Sequence, residues 1–253
     1  MSPAALTITE ATVDFGAGPV LDQVSLDVAA GEFVCVVGAS GSGKTTLLNA
    51  IAGLVELDGG TVAVDGRRVT GPGPDRAVVF QDDAVFPWLS VARNAAFGLE
   101  TQGVGKAERR TRVTDVLATV GLTGSEERWP RELSGGMRKR VDLARALAVR
   151  PPVLLMDEPY GALDMLTKER LQADLDRIVS HEGMTVVFIT HDLEEAVFLA
   201  DRVIVLASHP GRVAAEIRVP FARPRDPELR LTPDFQAVRG EVLHHLQAVE
   251  TTA

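Results

Sequence analysis

The chain is poor in the residues that mark several functional classes. It holds one cysteine, one tyrosine and two tryptophans among 253 residues, and aromatics make up 5% of it. The lone thiol, Cys35, excludes a disulfide framework or a cysteine-based zinc site within the chain. Its place inside an apolar run makes it a small buried hydrophobe of a reducing compartment. Few aromatics leave little for base stacking. A net charge of −9, with a pI near 5.1, is at odds with the clustered Lys and Arg that an extended nucleic-acid surface needs. No run approaches the ~18 apolar residues that span a bilayer, and Met1-Ser2-Pro3-Ala4-Ala5-Leu6 has no basic stretch leading into an apolar one. The expectation is a soluble, cytoplasmic protein that reaches a membrane only through something else. Repeats and low-complexity tracts are also missing, and the length allows one large domain or a domain with a substantial insertion.

What the chain does hold is Gly38-Ala39-Ser40-Gly41-Ser42-Gly43-Lys44-Thr45, which fits the phosphate-binding pattern G-x-x-x-x-G-K-[ST]. It lies between an apolar run, 33–37, that reads as a buried strand and a helical run, 45–52, closed by Gly53. Several donors must converge on a triphosphate, so glycines at 38, 41 and 43 let backbone N–H groups approach without Cβ atoms in the way. Lys44 then reaches the β and γ phosphates, the Thr45 hydroxyl can ligate Mg²⁺, and the helix N-terminus adds positive potential. This stretch binds a nucleotide but names no reaction.

Residues 6–37 alternate apolar and polar positions, as in Val24-Ser25-Leu26-Asp27-Val28, which predicts half-buried antiparallel strands. Phe15 either packs in the core or serves as a stacking platform for a nucleotide base. Turn signals at Asp58-Gly59-Gly60 and Asp65-Gly66 bracket a hairpin strand, 61–64, and a buried strand, 77–80, ends at Gln81. From 86 to 150 the spacing turns helical, over 91–99, 106–120 and 136–149, without strand signals. Strands resume at 153–156, 186–189 and 203–206, separated by helices near 165–180 and 193–200. That order predicts a nucleotide-binding α/β core with an inserted helical subdomain. Beyond 219 come Pro220, Pro224, Pro227 and Pro233 and a short helical pattern, 235–246, read as a tail over the core or a partner.

Two further stretches carry chemistry. Val153-Leu154-Leu155-Met156-Asp157-Glu158 is an apolar strand ending in two carboxylates, where Asp157 can orient the waters of Mg²⁺ and Glu158 can polarise an attacking water. In Leu133-Ser134-Gly135-Gly136-Met137 a serine N-cap and two glycines open a helix, which makes a second anion-binding helix end in the same chain. One nucleotide cannot easily use both ends within one subunit, whereas two copies packed head to tail bring them face to face.

Taken in order, these residues resemble the ATP-binding subunits of ABC transporters, and the resemblance runs through 6–206. It implies an α/β fold: a P-loop, RecA-like ABC ATPase core with an antiparallel β subdomain and an inserted α-helical subdomain. The ATPase domain would cover 1–219, its helical part 86–150, and a tail 220–253. The implied cofactors are ATP and Mg²⁺. Phe15 becomes the base platform, and Gly38, Ala39, Ser40, Gly41, Ser42, Gly43, Lys44, Thr45 and Thr46 hold the phosphates. Thr45, Gln81 and Asp157 serve the metal, and Gln81 also belongs to the partner interface. Ser134, Gly135 and Gly136 form the signature, Ala162-Leu163-Asp164 the D-loop, and Glu158, His191 and Lys44 carry catalysis, His191 on the γ phosphate. Phe15 stands where many relatives have Tyr, and Met137 where Gln is common. Neither change removes a phosphate-contacting group, so an active ATPase is expected.

Within that family the chain looks most like the subunits that energise bacterial uptake of taurine, alkanesulfonates and nitrate. The resembling stretches are Gly71-Pro72-Gly73-Pro74-Asp75-Arg76, Phe86-Pro87-Trp88-Leu89, Asn94-Ala95-Ala96-Phe97-Gly98-Leu99, Pro159-Tyr160-Gly161-Ala162-Leu163-Asp164 and His209-Pro210-Gly211-Arg212-Val213. The Gly-Pro-Gly run and the Pro-Gly-Arg turn lean towards taurine or a related sulfonate. The implied partners are a second copy of the chain, integral membrane permease subunits and, indirectly, a solute-binding protein, with no nucleic acid. The implied place is the cytoplasmic face of the inner membrane. Phe86-Pro87-Trp88-Leu89 either docks a cytoplasmic helix of the permease or packs the insertion onto the core. An ABC ATPase acting on DNA or ribosomes would bring a coiled-coil insertion or a second cassette, and a small-molecule kinase would leave 133–137 unexplained.

Overall fold

The computed structural model describes residues 4–82, 84–161 and 163–251. Ala162, part of the expected D-loop, lies outside the described residues. β1 (Ala4–Asp14) and β2 (Pro19–Ala29) pair antiparallel, and β2 buries Val24, Leu26 and Val28 while turning Ser25 and Asp27 outward. This is the expected alternation of a sheet with one wet face. The alternation ends there. β3 (Phe33–Gly38) is buried along its whole length and belongs to a different, mostly parallel sheet, so its uninterrupted apolar run reflects layers on both faces.

α1 (Lys44–Ala52) starts at Gly43 and stops at Gly53, whose left-handed φ of 77° ends the helix. A Cβ at Gly53 would collide with the backbone of Gly71, so the Gly-Pro-Gly run abuts the end of α1. β4 (Gly59–Val64) and the two-residue β5 (Arg67–Arg68) complete a four-stranded sheet of order β2-β1-β4-β5. β6 (Arg76–Val79) returns the chain to the parallel sheet.

α2 (Val91–Thr101), α3 (Lys106–Thr119) and α4 (Gly135–Ala148) pack on one another, and α4 also packs on β6. The buried Asn94 explains how α2 joins the core. Its amide donates to the carbonyls of Phe86, Leu89 and Ser90 and accepts the Phe86 N–H at 2.8 Å, which ties the 86–90 loop to the start of α2.

β7 (Val153–Asp157), α5 (Met165–Glu182), β8 (Thr185–Ile189), α6 (Leu193–Leu199), β9 (Arg202–Leu206) and β10 (Val213–Arg218) finish a six-stranded sheet of order β10-β9-β3-β8-β7-β6, antiparallel only at β10. The segment after 219 ends in α7 (Pro233–Thr251), well beyond the expected 235–246. Phe235 and Val242 are fully buried in the same core cluster as β3 and β8, so this segment is built into the core. Arg223 pairs with Asp176 and Asp201, and the Arg225 N–H donates to Asp176 at 2.8 Å.

Candidate functional site

Four parallel strands end side by side on one edge: β3 at Gly38, β6 at Val79, β7 at Asp157 and β8 at Ile189. Ligands of open α/β sheets bind beyond such carboxyl ends. Here the edge opens on a cavity of about 500 Å³, lined by Gly38, Ser40 through Thr46, Gln81, Glu158 and His191, with Val20 from β2. Residues from four separate motifs therefore meet in one place.

The phosphate loop is shaped by its surroundings as much as by any ligand. A Cβ at Gly38 would lie 2.6 Å from the Leu206 carbonyl oxygen, and one at Gly43 would lie 2.7 Å from Leu21 Cδ2. Gly43 also holds a φ of 86° at the N-cap of α1. Glycine is thus required at 38 and 43 by protein atoms, a reason the motif alone does not reveal. Behind the loop, Gly211 of the Pro-Gly-Arg turn donates its N–H to the Val20 carbonyl at 2.9 Å, and a Cβ there would lie 2.5 Å from the Ser42 carbonyl oxygen. Arg212 pairs with Asp22. The turn supports the phosphate loop, which accounts for its residues without reference to any transported solute.

Lys44 is buried, and its Nζ donates to the carbonyls of Gly38 and Ala39, each at 2.8 Å. Desolvation pulls its pKa down, against the raising influence of Glu158 and Asp157. The Thr45 hydroxyl donates to Asp157 Oδ2 at 2.8 Å, across 112 residues of sequence. Burial raises the Asp157 carboxyl, and nearby Glu158 adds to it, while the Thr45 hydroxyl, Lys44 and Lys139 oppose. Hydroxyl and carboxylate oxygens of this kind suit a hard cation such as Mg²⁺.

Glu158 sits at the centre. Its Oε2 lies 3.1 Å from His191 Nδ1 and accepts from Gln81 Nε2 at 3.3 Å. Its backbone φ of 43° is left-handed, an uncommon and strained setting for a residue with a side chain. Just past the end of β7, the Glu158 N–H donates to the Ile189 carbonyl at 3.0 Å.

Other expected site residues stand apart. Phe15 is 66% exposed on the β1–β2 connection, which removes core packing as its role, and it is not among the residues lining the cavity. Ser134 caps α4, accepting the Met137 N–H at 3.3 Å, and neither it nor Gly135 and Gly136 line the cavity. A Cβ at Gly136 would lie 3.0 Å from Leu163, which places the signature beside the D-loop. Asp164 caps α5 by accepting the Thr167 N–H at 3.0 Å, and that bond lowers its pKa. Trp88 is 67% exposed, whereas Leu89 is buried; the Phe86 ring meets those of Phe97 and Trp88 in tilted contacts and lies under Arg145.

Sequence reasoning missed three supports. Lys139 on α4 is buried and donates to the carbonyls of Phe80 and, at 2.7 Å, Gln81, holding the glutamine loop. Lys168 and Glu195 brace the loop that carries His191. A charged residue on an amphipathic helix carries no local sign that it faces inward, so no signal could have singled them out.

Among the described residues no helix is long and apolar enough to cross a membrane. The sequence model of the ABC transporter family matches residues 21–161. A taurine import ATP-binding protein of Sinorhizobium fredii is 48% identical over 93% of this chain and 90% of its own length. A nitrate import ATP-binding protein of Synechocystis is 47% identical over 91% of this chain and 89% of its own. Among solved structures, the dimeric ATP-binding cassette MJ0796, in a post-hydrolysis state bound to ADP and Pi, aligns with a TM-score of 0.76. That alignment has 32% identity and covers 86% of this chain and all of that one. With the phosphate loop, the paired carboxylates and the histidine gathered at one sheet edge, these likenesses establish that the chain belongs to the ABC transporter family, as one of its ATP-binding, ATP-hydrolysing subunits.

Proposed function

We propose that two copies of this chain close over two ATP molecules, each held between residues 38–45 of one copy and 133–137 of the other. The observation that carries this reading is that, of the glycine-rich N-terminal ends of α1 and α4, that of α1 opens on the cavity and that of α4 does not. The Ser134 end is left for a nucleotide bound by the partner, and the exposed Phe15 for the base. The MJ0796 cassette, dimeric in its solved structure, supports the arrangement.

In this site Lys44 neutralises the β and γ phosphates and Glu158 polarises the attacking water, its carboxylate already oriented by Gln81 and His191. His191 contacts the γ phosphate. Thr45, Gln81 and Asp157 would hold Mg²⁺, which would supply charge neutralisation to the phosphate groups. Residues 86–150 form a helical subdomain inserted in the ATPase domain. Closure drives a separate membrane permease, docked on the exposed Trp88 and Phe97, and hydrolysis resets it. The chain then works at the cytoplasmic face of the inner membrane, with a solute-binding protein delivering the solute.

The proposed cargo is taurine or a related sulfonate, as the taurine-named relative supports; the nitrate-named relative makes nitrate the second reading. Growth on taurine as sole sulfur source, against growth on nitrate as sole nitrogen source, after deletion of the gene separates them. The dimer is tested by mixing Lys44→Ala with Ser134→Arg protein. Each mixed pair retains one composite site with both residues intact and should recover hydrolysis that neither variant shows alone. No recovery despite confirmed pairing would sink the shared-site reading.

A further inference from the structure

A string of buried polar groups runs from the C-terminal segment to the loop that carries His191. Arg230, in the 3-10 turn Pro227–Leu231, donates from Nη2 to Gln172 Oε1 at 2.6 Å. Gln172 Nε2 donates to Glu195 Oε1 at 3.3 Å, and Glu195 Oε2 accepts the Thr190 hydroxyl. The Thr190 oxygen in turn accepts the Asp192 N–H at 3.0 Å. All four side chains are buried. The direction of each bond is forced. Arginine only donates, so Gln172 must turn its oxygen to Arg230 and its nitrogen to Glu195. A carboxylate only accepts, so Thr190 gives its proton there and is left to accept from Asp192.

The string ends on both neighbours of His191. The His191 side chain itself is 69% exposed and has Glu158 beside it, so its aim depends on the backbone at 190 and 192. At the other end Arg230 is held firmly: its guanidinium lies 3.5 Å from the centre of the Phe198 ring and its Nε 3.2 Å from Glu194. Lys168 Nζ, 2.6 Å from both Glu195 and Asp192, braces the middle from α5.

We propose that Arg230 is a positioning residue for ATP hydrolysis, setting through Gln172, Glu195 and Thr190 the backbone that aims His191. The inference rests on the reading of His191 as a γ-phosphate contact. It gives the segment after 219 a part in turnover that no phosphate-binding motif marks. Among the described residues Arg230 Nη1 is buried without a hydrogen-bond partner, so the string is held by the links from Nη2 and Nε; a connected buried string of this kind favours one geometry, and a small misplacement at a reacting centre costs rate more than binding.

The test uses the full-length chain. Arg230→Met keeps apolar cover on Phe198 and removes the polar links, and Gln172→Met breaks the string at its middle. Arg230→Lys keeps the charge without the planar fork and serves if the first variant fails to fold. For each variant and for the Arg230→Met/Gln172→Met double, kcat for phosphate release, KM for ATP and the thermal midpoint are measured. The expected result is kcat lower by about tenfold or more with KM unchanged. The double variant should be no slower than either single, because a string broken once is not broken further. Multiplying losses, losses that track the thermal midpoint, or a raised KM with kcat intact would overturn the proposal. His191→Ala, measured beside them, separates the two readings. If it leaves kcat intact, the assignment of His191 fails. If it lowers kcat while the other variants do not, the positioning role alone fails.

Discussion

Lys139 on α4 donates to the main-chain carbonyl of Gln81 at 2.7 Å, joining the helix that begins at the signature to the loop that faces the nucleotide cavity. The ammonium also meets the Phe80 carbonyl, so one buried cation satisfies consecutive carbonyls just past the end of β6. A displacement of α4 would therefore be passed directly to the loop that follows β6.

Lys139→Met keeps the aliphatic stem and strands those carbonyls, at a cost of about 1–3 kcal/mol in stability. Hydrolysis should fall further than ATP affinity, because the Gln81 backbone, which places its side chain, loses its anchor while Lys44 and the phosphate loop are untouched. Urea unfolding and nucleotide titration, run on the same preparation, check the two parts.

Asp157 should show a conflict between stability and activity. Burial raises its pKa, so the folded chain binds the proton more tightly than the unfolded one. Sites of this kind disfavour folding as pH rises from the ordinary aspartate value through the raised folded value, and the full penalty stands above it. Asp157→Asn should accordingly raise the thermal midpoint of the nucleotide-free protein at neutral pH. The gain should vanish when pH falls below the ordinary aspartate range, where both states are protonated. Hydrolysis in Mg²⁺ should be lost at every pH. A midpoint that drops at neutral pH would contradict the assignment of burial as the dominant cause.

Cys35 should be inert in the native protein. Burial first, and the Glu195 carboxylate second, raise its thiol well above the ordinary value despite Arg223 and Arg225. A small alkylating reagent at mildly alkaline pH should leave the folded chain unmodified and label one site per chain in denaturant, as read by intact mass.

Arg223→Met should destabilise the chain strongly. It leaves Asp176 buried without its guanidinium partner, and breaking a buried pair costs about 3–5 kcal/mol. Deleting everything after 219 should be worse, because Phe235 and Val242 leave the core with it. Expression as aggregated material is the expected outcome, and a soluble, cooperatively unfolding truncation would show that the segment is dispensable.

Local chemistry made much of this protein legible from residue order. The phosphate loop was visible because its glycines, Lys44 and Thr45 are consecutive and sit between a strand run and a helix run. Val24 to Val28 and the helical spacing of 106–120 announced their elements because a half-buried strand or helix must alternate at its own period. The paired carboxylates of 157 and 158 were legible for the same reason, as polar residues ending an apolar run. What the order of residues could not supply is which distant groups meet. Thr45 finds Asp157 across 112 residues, Lys139 finds Gln81 across 58, and Arg230 finds Gln172 across 58. β3 was legible as a buried strand from its apolar run, but not that β8 and β9 would lie on either side of it. Those relationships belong to the tertiary structure alone, because a buried charge chooses its partner by where the sheet and helices bring it, and nothing in its own neighbours along the chain records that choice.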